Sequence, residues 1–331
     1  MTELKQVPLS AQELAEKQRK DRLIQIMLDD LGPIKPYLDD PAVTDIAVQD
    51  SGEIIISKFG QGRIFTGLQM SDISVYRIIK AVAAVSEVKV DAYSSLPKLE
   101  AFIPGYNARI TGLLPNKVIR PVISIRKPAK EIYTLEQYVA NGQMTEEQRE
   151  LIVKHIEVRN NIIVSGQTGC GKTTLTNAII RQMEIFTPNA NFYIVEDVPE
   201  LQCSARMKTT IFTDKYTADE AVEEALRFNP DRIIFGEVRN AKIMNALVTA
   251  WNTGHKGSVT TIHANNCMST LTRIKKLLST INADTMDDLS EIIQLVVHLS
   301  KTSKGIIVDE ILEVKEQTND LLNLIEQNGL A

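Results

Sequence analysis

The sequence predicts an α/β protein of two domains, a smaller α+β domain followed by a larger one built on a mostly parallel sheet. Three observations carry this. The 331 residues are roughly twice the ~150 typical of one domain. Through the second half, short β-branched runs alternate with helical patterns, the rhythm of a sheet covered by helices on both faces. The first half instead has strand-like runs punctuated by glycine turns, with a helix at its start and another within.

Each element has a local reason. Residues 10–30 read as a helix: Ser10 and Glu13 stand at capping-box spacing, and Leu14, Leu23, Ile24 and Met27 recur at helical intervals. Gly32 and Pro33 end it. From Thr44 to Thr66 the pattern turns to strands, at 46–48 and 54–56, with turns at 51–52 and 60–62. A helix follows at 75–85, then strand-like segments at 109–111 and 122–125. Residues 128–144 mix Pro, Gly and polar groups and read as a linker between domains at 1–127 and 145–331. A new helix opens at Thr145 with acids in its first turn, as the helix dipole prefers. Apolar strands are then expected at 161–165, 192–196, 232–236, 259–263 and 294–298, with helices at 173–184, 217–228, 241–251 and 268–279 between them. The run 305–314 reads as antiparallel edge strands.

Composition excludes several classes. With 37 basic and 42 acidic side chains the net charge is −5, without the basic surplus of a protein that coats nucleic acid. Three cysteines (Cys170, Cys203, Cys267) with no Cys-x-x-Cys pair make neither a disulfide framework nor a zinc knuckle. The opening residues lack the apolar core of a signal peptide, and no apolar run approaches the ~20 residues that span a bilayer. The expectation is a soluble protein of a reducing compartment.

The chemistry begins at Gly166-Gln167-Thr168-Gly169-Cys170-Gly171-Lys172-Thr173, which satisfies G-x-x-x-x-G-K-[ST] between an expected strand and a helix running on from Thr174. Glycines let successive backbone N–H groups face a phosphate at a helix N-terminus whose dipole favours an anion. Lys172 would neutralise the β- and γ-phosphates and Thr173 would place its hydroxyl on Mg²⁺. Cys170 is read as a small side chain filling a variable loop position rather than as a redox switch. Downstream, three apolar strands end in polar groups: Glu196, Asp197 and Glu200 after the first, Glu237 after the second and His263 after the third. Ligand-facing groups in such sheets lie at the carboxyl ends of strands, on the P-loop's own edge. All three segments are therefore expected to converge there.

Together these residues resemble the secretion-superfamily ATPases that energise type II and type IV secretion, pilus assembly and conjugation. Residues 166–173 are similar to that family's Walker A box, 194–201 to its Asp box, 233–237 to its Walker B box and 253–265 to its His box. The segments 250–255 and 260–266 are most similar to its conjugal-transfer and VirB-class type IV secretion branch. The missing cysteine pairs disfavour the zinc-bearing type II branch. The resemblance implies a RecA-like P-loop NTPase domain preceded by a smaller α+β N-terminal domain, with ATP and Mg²⁺ in the cleft between them. It implies a homo-hexamer on the cytoplasmic face of the inner membrane, held there by membrane components of the secretion apparatus and powering pilus biogenesis or substrate export. No stable direct DNA binding is expected.

The site residues follow. Lys172 and the loop 166–174 would bind phosphate, and Thr173 with Glu237 would lie on the metal side. Either Glu237 or Glu196 would polarise the attacking water, since Gly236 stands where many P-loop ATPases place an aspartate. His263 gains the role of γ-phosphate sensor from the His box alone. His255 is open between that box and packing, and His155 and His298 read as structural. Arg126 and Arg109 match the positions from which the family's N-terminal domain reaches the phosphates. Arg232 and Arg239 flank Walker B and would be able to act across a subunit interface. Two alternatives from other classes are a hexameric nucleic-acid motor on the same core and a ring scaffold that binds ATP without hydrolysing it.

Overall fold

Apolar–polar alternation governs the first half of the chain, and there it builds a sheet with one buried face. The computed structural model describes residues 10–58, 62–128, 132–197, 199–213, 218–280, 289–302, 305–315 and 318. The chain divides into two units, Met1–Lys130 and Glu131–Ala331. The first opens with α1 (Ala11–Leu31), a 3-10 turn at Gly32–Ile34 and α2 (Lys35–Asp39). Strands β1 (Val43–Val48), β2 (Glu53–Lys58) and β3 (Gly62–Gln69) make one meander. After α3 (Asp72–Val85), strands β4 (Lys98–Ile103), β5 (Ala108–Leu113) and β6 (Val122–Arg126) make a second. Antiparallel pairing of β1 with β6 joins them in the order β3-β2-β1-β6-β5-β4.

Ile46, Ile54, Ile110 and Ile125 line the buried face against Met27 and Leu31 of α1 and Ile78, Ile79 and Val82 of α3. Gly112 lets α3 come close, because a Cβ there would stand 2.8 Å from Cγ1 of Ile79. The opposite face carries Arg109 and Arg126, directly paired across β5 and β6.

The segment expected as a linker holds α4 (Leu135–Ala140), closed at its start by a Thr134–Gln137 capping box. Leu135, Tyr138 and Met144 are buried in the core of the second unit. The mixed polarity there belongs to a short amphipathic helix with apolar anchors, not to a tether. Then come α5 (Glu146–Glu157), β7 (Ile162–Gly166), α6 (Lys172–Phe186), β8 (Asn191–Glu196), β9 (Met207–Phe212) and α7 (Ala218–Arg227). The chain continues through β10 (Arg232–Phe235), α8 (Ala241–Asn252), β11 (Val259–Ile262), α9 (Cys267–Ser279), β12 (Leu295–Thr302) and β13 (Gly305–Glu313).

Two sheets result, ordered β10-β8-β9 and β11-β7-β12-β13, parallel throughout except for the edge strand β13. They meet where Val238, just past β10, bridges Ile262 in parallel. Strand β9 was not expected from the sequence. Its half-exposed Met207–Phe212 run lacks the continuous apolar pattern of the buried strands, as an edge strand does. The expected turn residues 60 and 61 and the helix start at 217 lie outside the described residues. Among the described residues, no helix is long and apolar enough to cross a membrane.

One buried amide levels the strands. Asn161, fully buried just before β7, accepts from the N–H groups of Gly257 and Ser258 at 2.9 and 3.1 Å. Its Nδ2 donates to the Ile292 carbonyl at 2.8 Å. Asn161→Ala leaves three buried backbone groups unpaired, at roughly 1–3 kcal/mol for each left without a substitute partner. Urea denaturation is expected to register a loss of at least about 2 kcal/mol.

Candidate functional site

The P-loop turns on glycines in the positive-φ region. Gly166, Gly169 and Gly171 have φ of +148°, +75° and +80°. A Cβ on Gly166 would lie 2.5 Å from both the Cys170 sulfur and the Leu299 carbonyl oxygen. Side chains of Ser71, Thr134, Thr145, Asn240 and Asn266 cap α3, α4, α5, α8 and α9. Helix α6 begins at Gly171 in the left-handed conformation with no side-chain cap. Its N-terminal amides are thus left to an anion, and the loop residues fit a nucleotide phosphate. Beside the loop, a cavity of about 480 Å³ is lined by Gln167, Thr168, His263, Asn265 and Arg273.

Lys172 is buried at the centre. Its Nζ donates to the carbonyls of Gly166 and Gln167 at 3.0 and 2.9 Å and lies 3.1 Å from Nδ1 of His263. That same Nδ1 is 3.2 Å from the Gly166 carbonyl, while Nε2 lies 2.9 Å from Oε1 of Glu237. A carboxylate facing Nε2 places the hydrogen there, so in the neutral ring Nδ1 accepts from Lys172. Arg273 donates to the His263 carbonyl at 2.9 Å. Lys172, His263 and Glu237 thus come together from α6 and from the ends of β11 and β10.

Glu196 is placed differently. Its Oε2 accepts from the backbone N–H groups of Glu200 and Leu201 at 3.0 and 2.9 Å, tying down the turn after β8. Burial pushes its pKa up to about 7, against the pull of those two amides. The carboxylate beside Thr173 belongs instead to Glu200, whose Oε2 accepts from the Thr173 hydroxyl at 3.2 Å. Sequence reasoning missed Glu200 as a site residue. Its only signal was membership of the acid cluster at 196–200, where nothing in the sequence separates the capping acid from the free one. The Thr173 hydroxyl and the Glu200 carboxylate are oxygens at hand for a hydrated divalent cation, whereas both oxygens of Glu237 face His263 and Arg239, and among the described residues no group of three or more His, Cys, Asp or Glu side chains forms a metal cluster. Gly236 has a steric cause as well, since a Cβ there would approach Cβ of Glu196 to 3.1 Å.

The other candidates sort clearly. Cys170 is buried, and burial raises its thiol pKa, as befits a filler of the loop. Arg232 is fully buried, donates to the Gly257 carbonyl and stacks over Phe192, so it is not available to a neighbouring subunit. Burial pushes its pKa down to about 10. Arg239 is half exposed and bridges Glu237 and Asp197. His255 packs on the Pro230 carbonyl, His155 pairs with Glu313, and His298 meets Ser165. In the first unit Arg126 pairs with Asp45 at 3.2 Å and Arg109 with Glu100 at 3.6 Å.

The raised pKa of Glu196 has a sign. Between about pH 4.5 and 7 the native state holds a proton that the unfolded chain has released, so stability falls as pH rises through that window. Glu196→Gln is expected to reduce this fall by roughly 1–3 kcal/mol, read from urea denaturation at pH 5 and pH 8.

Residues 27–328 match the family described as "Type II/IV secretion system protein". The chain is 35% identical over 303 residues to the conjugal transfer protein TrbB of Rhizobium radiobacter, covering 90% of this chain and 92% of that one. It is 27% identical to the type IV secretion system protein VirB11 of Bartonella quintana, over 77% and 82% of the two chains. Its fold is similar to that of the Legionella pneumophila ATPase DotB, with a TM-score of 0.64 at 20% identity over 88% and 82% of the chains. A match along nearly the whole chain, with a P-loop, acids and histidine meeting at one sheet edge, makes this protein a member of the type II/IV secretion system protein family.

Proposed function

We propose that this chain is an ATPase that powers pilus biogenesis or substrate export by a conjugative type IV secretion apparatus. It works as a homo-hexamer on the cytoplasmic face of the inner membrane, recruited there by protein components of the apparatus. The observation that carries the reading is the meeting of Lys172, His263 and Glu237 beside the uncapped start of α6. Likeness to a conjugal transfer protein over most of both chains supports the setting.

In this reading the second unit is a RecA-like domain and the loop 166–174 holds the phosphates of ATP. Lys172 exchanges its bonds to the Gly166 and Gln167 carbonyls for charge-assisted bonds to phosphate oxygens. Thr173 with Glu200 and Glu237 would hold a hydrated Mg²⁺, which would supply positive charge against the transferring phosphate. Glu196, held by two amides, positions the turn that carries Glu200. Glu200 or Glu237 takes the proton of the attacking water, and His263 reports the γ-phosphate to both Lys172 and Glu237. Arg126 and Arg109 supply further positive charge in the closed state. Direct DNA binding is no part of the cycle.

Lys172→Ala is expected to abolish ATP hydrolysis and DNA transfer while leaving the fold, read by circular dichroism, intact; normal turnover would sink the phosphate site. Glu200→Gln is expected to lower kcat about 10²-fold or more with nucleotide binding retained. Light scattering checks the hexamer. Strong, salt-sensitive stimulation by single-stranded DNA would instead mark a nucleic-acid motor. A ring that binds ATP without turnover would mark a scaffold.

A further inference from the structure

Glu237 is held at both oxygens, and only one of the two holders belongs to the nucleotide loop's surroundings. Oε1 faces His263 at 2.9 Å, and Oε2 accepts from Nε of Arg239 at 2.6 Å. The same guanidinium donates through Nη1 to Oδ2 of Asp197. Asp197 is the first residue beyond β8 and Glu237 the second beyond β10. These strands are parallel neighbours, with Phe235 opposite Val195, so two carboxylates leave adjacent strand ends side by side. A third acid, Glu196, is buried just behind them. Like charges at this separation repel, and without a cation between them Glu237 and Asp197 would swing apart.

We propose that Arg239 is a positioning residue for hydrolysis: its fork clamps Glu237 of the Walker B end to Asp197 of the Asp box. The inference rests on the chain being an ATPase. Arg239 is half exposed, and ion pairs at such exposure add little to fold stability. Their effect is on geometry. Rotation of Glu237 about χ1 would break its contact with His263 and so disconnect the chain of bonds that ends at Lys172. The clamp also joins two segments on which the reaction depends, because the turn after Asp197 carries Glu200 to Thr173. A lysine does not replace it. Arginine reaches one acid through Nε and the other through Nη1 of one rigid plane, whereas an ammonium is a single point on a flexible stem.

The test compares Arg239→Ala, Arg239→Lys, Asp197→Asn and the Arg239→Ala/Asp197→Asn double variant of the full chain with the wild type. Steady-state kinetics and hydrogen–deuterium exchange are both read. The clamp predicts kcat reduced about 10- to 100-fold in both arginine variants, with KM within about threefold. It also predicts faster exchange in segments 197–201 and 236–240 together, a double variant no worse than Arg239→Ala, and an unchanged melting temperature. Unchanged kcat, full activity of Arg239→Lys, or losses that multiply in the double variant would overturn it. So would a kcat loss with exchange unaltered, which would mean that Arg239 acts on the phosphate itself. If the wild type does not turn over ATP, it is the proposed function that fails. The exchange pattern then decides the clamp alone, with faster exchange in both segments supporting it and no change refuting it.

Discussion

The alignment of three parallel strands by Asn161 is the constraint on which the second unit depends. Its side-chain oxygen gathers the start of β11, its amide nitrogen the residues before β12, and its own carbonyl accepts from Gln294 and Leu295. From that level start the pairing runs residue for residue: Ile162 opposite Val259 and Leu295, Ser165 opposite Ile262 and His298, Gly166 opposite Leu299. That in-step register then delivers His263 next to the Gly166 carbonyl and the Leu299 carbonyl against the Gly166 α-carbon. A slip of one residue would turn every side chain of a strand to the other face and scatter the site.

On that edge the energetics are electrostatic. Four acids (Glu196, Asp197, Glu200 and Glu237) end neighbouring strands and turns, and each has a partner. Two backbone amides hold Glu196, Arg239 holds Asp197 and Glu237 together, His263 shares Glu237, and the Thr173 hydroxyl meets Glu200. Partnering is what keeps so much negative charge beside a phosphate loop. It also separates roles that the sequence leaves pooled. The most buried carboxylate is fastened to the backbone, and the one on the Thr173 hydroxyl is four residues further on. The first unit handles charge on an open sheet face, where Asp45, Arg126 and Arg109 stand in one cross-strand row.

Most of the architecture was legible in the residues because it follows from local rules. Periodicity of 3.6 or 2, capping residues and glycine turns marked most of the buried elements, though not α2 or β4. The P-loop was legible because its glycines answer to backbone geometry that side chains disfavour, as the positive φ values of Gly169 and Gly171 make plain. Elements with weak patterns were not legible. The six residues of α4 have too few turns to display a stripe, and β9 is an edge strand whose half-exposed pattern imitates a loop.

By itself the sequence determined the fold class, the phosphate loop, the family and the set of polar groups that end the central strands. Each of these is encoded by neighbours along the chain. Tertiary structure alone decided which of those groups share a bond: Glu200 rather than Glu196 at Thr173, Arg232 in the core, and Arg239 between two acids. Such pairings depend on strand order and register, which bring residues 27, 42 and 91 positions apart within hydrogen-bonding distance. No local pattern records which strands will be neighbours.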